Sequence, residues 1–211
     1  MMKPAAASVL LACLAASAQA TEIYTHVGTE GVGLGIGRPV GEVFGLRGEI
    51  SGGSLGHDFT VADIDYDAKL KWRGIGVYGD WYPVPSPFRV TAGLAFNDSK
   101  VDATGTSDTV LVINGQSYAA TGEAVYGRIE WPSVMPYLGV GLGHARAAKG
   151  WGFFADLGVM IGKPKAHLTA TPGLLQQVGA AELEAERRKL QEKADDYGVY
   201  PVLKIGVSYT F

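Results

Sequence analysis

The residue types that most often carry chemistry are thinly spread in this chain. His26, His57, His144 and His167 stand far apart, and none falls in the paired-histidine pattern of a zinc protease. His57 and Asp58, with Ser54 nearby, have the types of an acyl-transfer or lipid-deacylating site, in which an imidazole takes the proton of a hydroxyl nucleophile. Nothing else in their spacing supports such a site, and polar loop residues account for them. Asp63, Asp65 and Asp67 alternate like the start of a calcium loop. However, Ala68 stands where that loop requires glycine, and Gly74 where it requires the closing glutamate. The sequence therefore predicts no metal, no cofactor and no enzyme. A different set stands out: Arg47, Glu49, Asp80, Arg89, Arg128, Glu130, Asp156 and Lys204 all sit on the polar row of segments that alternate strictly between polar and apolar residues.

Those segments are strands, since side chains on a strand alternate between faces with a period of two. From Phe88 to Phe96 one face reads Phe88, Val90, Ala92, Leu94, Phe96 and the other Arg89, Thr91, Gly93, Ala95. The same pattern runs through Pro136–Gly143, Phe153–Ile161 and Leu203–Phe211. Strands are predicted at about 23–37, 43–53, 66–82, 88–99, 122–131, 136–145, 151–163 and 199–211, with ten as the alternative to eight. The polar rows are rich in glycine and charge, which suits a crowded interior. Trp81, Tyr82, Trp131, Trp151, Tyr200 and Tyr209 bracket the apolar rows as interfacial girdles do. This composition predicts an all-β fold: an eight-stranded antiparallel transmembrane β-barrel of the outer-membrane type, closed so that every backbone group is paired.

Composition agrees. Glycine contributes 30 of 211 residues, about twice the usual share. With 47% hydrophobic and 10% aromatic residues, disorder is excluded. A net charge of -3 without a basic cluster beyond Arg187-Arg188-Lys189 argues against nucleic acid as a partner. The long apolar run is at the start. Lys3, the stretch Ala5 to Ala16 and the small-x-small pattern Ala18-Gln19-Ala20 predict a signal peptide over 1–20, cleaved before Thr21. Cys13, the sole cysteine, offers a weaker lipid-attachment alternative. The barrel domain then spans 21–211, exported to the outer membrane as a monomer. Barrel-assembly machinery would read Tyr209 and Phe211 as its terminal signal.

Arg38-Pro39-Val40-Gly41, Pro83–Pro87 and Pro132-Ser133-Val134-Met135 read as tight turns, and Asn114-Gly115 as a type I′ hairpin within the polar stretch 98–121. A charged surface helix is predicted within an insertion at about 174–197, with Glu184/Arg188 and Arg188/Glu192 as i,i+4 pairs, either as a solvated cap or as a partner-binding helix. Asp67, Lys69, Lys71 and Arg73 precede Ile75 and Val77 in one row. Charges do not sit in hydrocarbon, so that end should protrude. Lys69, Lys71 and Arg73 would there meet lipopolysaccharide phosphates or simply form a solvated rim. One conflict stays open: with both ends in the periplasm, strict alternation of these strands puts the long loops 54–65 and 98–121 on the periplasmic side, the reverse of the usual pattern.

Ile113–Tyr118, Pro136–Gly141, Gly150-Trp151-Gly152-Phe153, Gly162-Lys163-Pro164-Lys165 and Tyr200–Val207 together resemble the carbapenem-associated outer-membrane proteins, the CarO-like barrels, and their proteobacterial relatives. The resemblance spans most of the chain after the leader and is strongest from 88 to 211. It implies a small monomeric barrel with uptake of basic amino acids such as ornithine, and it maps no binding motif onto this chain. Two functions follow as expectations. One is a small passive channel for small cationic solutes, with Asp80 and Asp156 as attractors. The other is a structural or surface-interaction barrel whose lumen is plugged by its own ion pairs, in contact with outer-membrane lipids. A lipid-modifying enzyme ranks third.

Overall fold

The computed structural model describes residues 21–61, 64–107, 109–119, 121–144 and 149–211. The expected leader with Cys13 lies outside the described residues, as do Asp63 and the side chains of His57, Asp58 and Asp65. The chain forms β1 (Glu22–Gly28), β2 (Gly31–Val40), β3 (Phe44–Val61), β4 (Ile64–Trp81), β5 (Phe88–Asn97), β6 (Lys100–Thr106), β7 (Val110–Ile113), β8 (Gln116–Ala119), β9 (Ala124–Glu130), β10 (Val134–Leu142), β11 (Gly150–Ile161) and β12 (Lys165–Ala170). Helices α1 (Pro172–Val178) and α2 (Ala180–Asp195) and the last strand β13 (Val199–Thr210) complete it.

Eight strands close a ring in the order β1, β2, β3, β4, β5, β10, β11, β13 and back to β1, all antiparallel. Following the register from Glu22 through Gly37, Arg47, Tyr78, Gly93, Tyr137, Met160 and Tyr200 returns to β1 displaced by ten residues. Eight strands with that stagger tilt by about 40° and enclose little more than their own side chains.

Five of these strands do not stop at the ring. The far half of β4 pairs with the far half of β3 and with β6, β6 with β9 and β9 with β12, building an open sheet beyond one end of the barrel. β5 and β6 are one long strand in constant register against β4, interrupted at Asp98 and Ser99. β9 and β10 continue one another in the same way across Trp131–Ser133, so the expected turn at Pro132–Met135 reverses nothing. The opposite correction applies at the start. The segment 23–37 is two strands, folded back at Thr29-Glu30 with Gly31 at φ 84°. Splitting one strand and joining two keeps the ring at eight but changes the side on which each connection between Arg38 and Thr121 falls. Both described ends, the connections 41–43 and 82–87, and the facing ends of β10 and β11 now lie at one end. The turn at Thr29-Glu30, the β7–β8 hairpin and both helices lie at the other. The conflict over loop sides disappears.

A small second core sits on the inward face of the extension. Leu111 and Ile113 of the β7–β8 hairpin pack with Leu174 and Val178 of α1, against Val125, Ala170 and Leu183. Asn114 and Gly115 adopt the positive φ values, 50° and 80°, that the expected type I′ turn demands. Helix α1 starts at Pro172, with the amide of Leu174 donating to Glu123 at 3.0 Å and the Thr171 hydroxyl also bonded to that carboxylate. Gly179, at φ 81°, separates α1 from α2, and α2 is the expected charged helix. Helix α2 then covers the free edge of β12. The amide of Ala166 donates to Gln191 at 2.8 Å, and Arg187 and Gln191 donate to the carbonyls of Ala166 and Pro164 at 3.3 and 3.0 Å. An open sheet edge is a template for unwanted pairing, and here side chains occupy it. Arg187, rather than the expected Arg188, pairs with Glu184, at 2.7 Å.

Candidate functional site

The ring has two opposite faces. Outward stand Leu34, Ile50, Leu138, Phe153, Leu157, Leu203 and Ile205, with Phe153 82% exposed. A continuous apolar belt of this kind is far beyond what a water-soluble surface carries. These residues all stand on strands of the ring, and no helix among the described residues is long and apolar enough to cross a membrane. Trp81, Trp151, Tyr209 and Phe211 border it at the end where the termini meet, with Tyr209 edge-on to both Trp151 and Phe211 at 5.3 and 5.1 Å. The other expected girdle members face inward. Tyr82 donates to the carbonyl of His144 at 3.0 Å, and Tyr200 stacks on Trp72 at 4.9 Å with Trp131 edge-on. Interfacial girdles and lumen aromatics are alike in sequence, and only strand phase separates them.

Inside, the polar row fills the barrel. Glycines on β2 make the room: a Cβ on Gly35 would fall within the Tyr24 ring, and one on Gly33 would meet the His26 imidazole. Near the end where the termini meet, Arg47 donates to Asp80 through Nε at 2.5 Å and through a terminal nitrogen at 3.0 Å. Thr91 donates its hydroxyl to Asp80 at 2.6 Å, and Arg89 lies 3.4 Å from the same carboxylate. Asp156 bonds Arg89 and stands 3.6 Å from Arg47. His144 joins this plug, its Nδ1 2.7 Å from Glu22 and its Nε2 3.5 Å from Arg47. Farther up, Lys204 bonds Glu49 and pairs with Glu30 at 2.6 Å. Tyr24 and Tyr78 donate to Glu49 at 3.1 and 3.2 Å, and His26 lies 3.6 Å from it. Above these, Trp72, Met135, Met160 and Val202 form an apolar layer together with Trp131 and Tyr200. The space lined by Glu22, Arg47, Asp80, Tyr82 and His144 amounts to about 20 Å³, room for roughly one water.

Of the charged residues expected inside, Arg47, Glu49, Asp80, Arg89, Asp156 and Lys204 are buried in this lumen. Arg128 and Glu130 are not. They lie on β9, with side chains 49% and 43% exposed, on the outward face of the extension. Treated as a separate strand, 122–131 seemed to point its polar row inward. As part of one strand with β10, its even-numbered residues share the outward row of Leu138 and Val140. Beyond the apolar belt that row meets water, so polarity inverts while direction does not. Glu22, Glu30, His26 and His144 were missed. Glu22, Tyr24 and His26 alternate on β1, a signal hidden when 23–37 is read as one glycine-broken strand. His144 sits in a connection, where periodicity says nothing. Among the described residues the buried charges are Glu22, Glu30, Glu49, Asp80 and Asp156 against Arg47, Arg89 and Lys204, an excess of acid.

Lys69, Lys71 and Arg73 project outward from the far half of β4, all exposed. Lys69 lies 3.4 Å from Asp67. Asp102 accepts from Lys71 at 3.1 Å and from Arg128 at 2.6 Å. Slight burial works against its charge, but these two hydrogen bonds hold its carboxyl below the usual range.

The chain matches the crystal structure of Acinetobacter baumannii CarO over 90% of its own length and 97% of that chain, at 23% identity and a TM-score of 0.61. The barrel has the CarO fold. The crystal structure of CarO2 from the same organism matches over 92% of this chain and 99% of the other, at 23% identity and a TM-score of 0.64. No protein-family model and no curated protein matches the sequence. At this identity the likeness concerns the CarO-like fold, and the lumen must be read from its own residues.

Proposed function

We propose that the chain is an integral outer-membrane β-barrel that stays closed to solutes and displays its sheet extension, hairpin and helices on the outer side. The observation that carries this is the Arg47–Asp80–Arg89–Asp156 network across the lumen, capped by the apolar layer of Trp72, Met135, Met160 and Val202. A solute would have to part buried ion pairs, each worth several kcal/mol to break. The lipid-compatible belt, the expected leader over 1–20 and the CarO fold support the location. The terminal Tyr209 and Phe211 support delivery by barrel-assembly machinery. No catalytic role is assigned to this barrel.

The test is uptake by liposomes holding the purified protein, with ornithine, glutamate and a neutral sugar compared. Leakage equal to that of empty liposomes for all three is the expected result, and uptake of any of them overturns closure. A second reading, passage of small cations, is favoured by the acid excess of the lumen. It requires ornithine alone to enter, and Asp80→Asn plus Asp156→Asn to reduce that entry.

A further inference from the structure

On the strands outside the lumen, charge gathers on the outward face of the extension. Cross-strand register aligns Lys71, Lys100, Glu130 and Lys165 in one row, and Lys69, Asp102, Arg128 and His167 in the next. Asp102 binds Lys71 and Arg128, and Glu130 lies 3.7 Å from Arg128 and 3.8 Å from His167. Among the described residues Lys100 and Lys165 have no acid within ion-pair distance, so cations exceed acids across the two rows. Four residues along each chain toward the ring stand Ile75, Phe96, Val134 and Ile161, the last three more than 40% exposed. The change from apolar to charged thus occurs on four neighbouring strands in register, within about 13 Å of strand.

We propose that this face binds lipopolysaccharide, with Lys71, Lys100, Arg128 and Lys165 taking the phosphates of its lipid A and the apolar row below lying along its acyl chains. The proposal rests on the membrane-spanning reading above. A soluble anion would need only the cations. The apolar row, in register beside the charged one, singles out a ligand that is phosphorylated at one end and acylated at the other. Asp102 and Glu130 orient Arg128 and, through Asp102, Lys71, and leave the two unpaired lysines to supply the attraction.

The folded full-length barrel in detergent is titrated with diphosphorylated lipid A, monophosphorylated lipid A of the same acylation, and inorganic phosphate, and bound lipid is read by native mass spectrometry. The diphosphorylated form should bind most tightly. Lys71→Ala plus Lys100→Ala plus Lys165→Ala should weaken it by about tenfold to a hundredfold, and arginine at the same three positions should restore it. Lys189→Ala plus Lys193→Ala, on α2, should change nothing. Heat-modifiable gel mobility reports folding of each variant. If the triple variant does not fold, Lys165→Ala alone should lose about fivefold. Equal binding of the two lipid A forms, parental affinity in a folded alanine variant, or displacement by inorganic phosphate as effective as by lipid would each overturn the proposal. A protein that fails to insert into lipid vesicles overturns the barrel reading itself. One that inserts and ignores lipid A overturns this proposal alone.

Discussion

Replacing Asp80 by alanine tests the lumen plug most directly. Its carboxylate is 1% exposed and meets two hydrogen bonds from Arg47, one from Thr91, and Arg89 at 3.4 Å. Without it Arg47, itself 4% exposed, keeps one carboxylate within ion-pair distance, Asp156 at 3.6 Å, which is already bonded to Arg89, and the His144 imidazole at 3.5 Å. Stranding one partner of a buried ion pair costs about 3–5 kcal/mol. Asp80→Asn preserves shape and one acceptor but not the charge, and should cost about 1.5–3 kcal/mol. Thr91→Val, which removes one hydroxyl donor, should cost about 1 kcal/mol. Urea titration of the barrel in lipid vesicles, followed by tryptophan fluorescence and heat-modifiable mobility, gives all three values. Combining Asp80→Ala with Arg47→Met removes both charges and should recover part of the loss. An Asp80→Ala barrel within about 0.5 kcal/mol of the parent, the range of an inconsequential surface change, would refute the plug as a stabilising unit.

Gly35→Val should prevent folding or cost at least 1–3 kcal/mol, because its Cβ would enter the Tyr24 ring; adding Tyr24→Ala should restore heat-modifiable mobility, and failure to do so counts against the crowding argument. Arg187→Ala plus Gln191→Ala uncovers the β12 edge, so hydrogen exchange at the Ala166 amide should quicken while ring amides stay protected; unchanged exchange would deny the helix that role. Cysteines introduced at Thr29 and Ser86 occupy opposite ends of the barrel. A membrane-impermeant reagent on intact cells should label the first and spare the second, and the reverse pattern would invert the orientation. Deleting Phe211, whose amide donates to the Thr21 carbonyl at 3.1 Å, should lower the amount of folded protein in the outer membrane, and unchanged levels would remove it from the assembly signal.

The face of each strand was legible wherever alternation was long. Arg89 and Thr91 against Val90 and Leu94, or Asp156 against Leu157, declare inside and outside without any structure, because a lipid-facing row tolerates nothing polar. Strand ends were less legible. Thr29-Glu30 turns the chain without the Asn-Gly signature that marked Asn114-Gly115, and the glycines around it satisfy hairpin and strand alike. Pro132 looked like a reversal but falls where two halves of one strand lose pairing and keep direction. Long-range partners were hidden altogether. Glu30 reaches Lys204, and Glu22 reaches His144, through a ring closure that no local pattern encodes.

Polarity inversion unites these successes and errors. Within the apolar belt a strand must place its apolar row outward, so charge is forced inward and must pair there. Beyond the belt the outward row meets water, and the inward row becomes available for packing. β4 crosses that boundary without a break: Tyr78 and Asp80 point into the plug, while Lys69 and Lys71 point into solvent from the opposite row. The inward row of the extension accordingly carries Val125 and Ala170 and receives the hairpin and α1. Arg128 and Glu130 were assigned to the lumen because a rule valid inside the membrane was carried past its edge. The same inversion marks that edge, between Ile75 and Lys71, Phe96 and Lys100, Val134 and Glu130, and Ile161 and Lys165, and it is along this line that the proposed lipid phosphates lie.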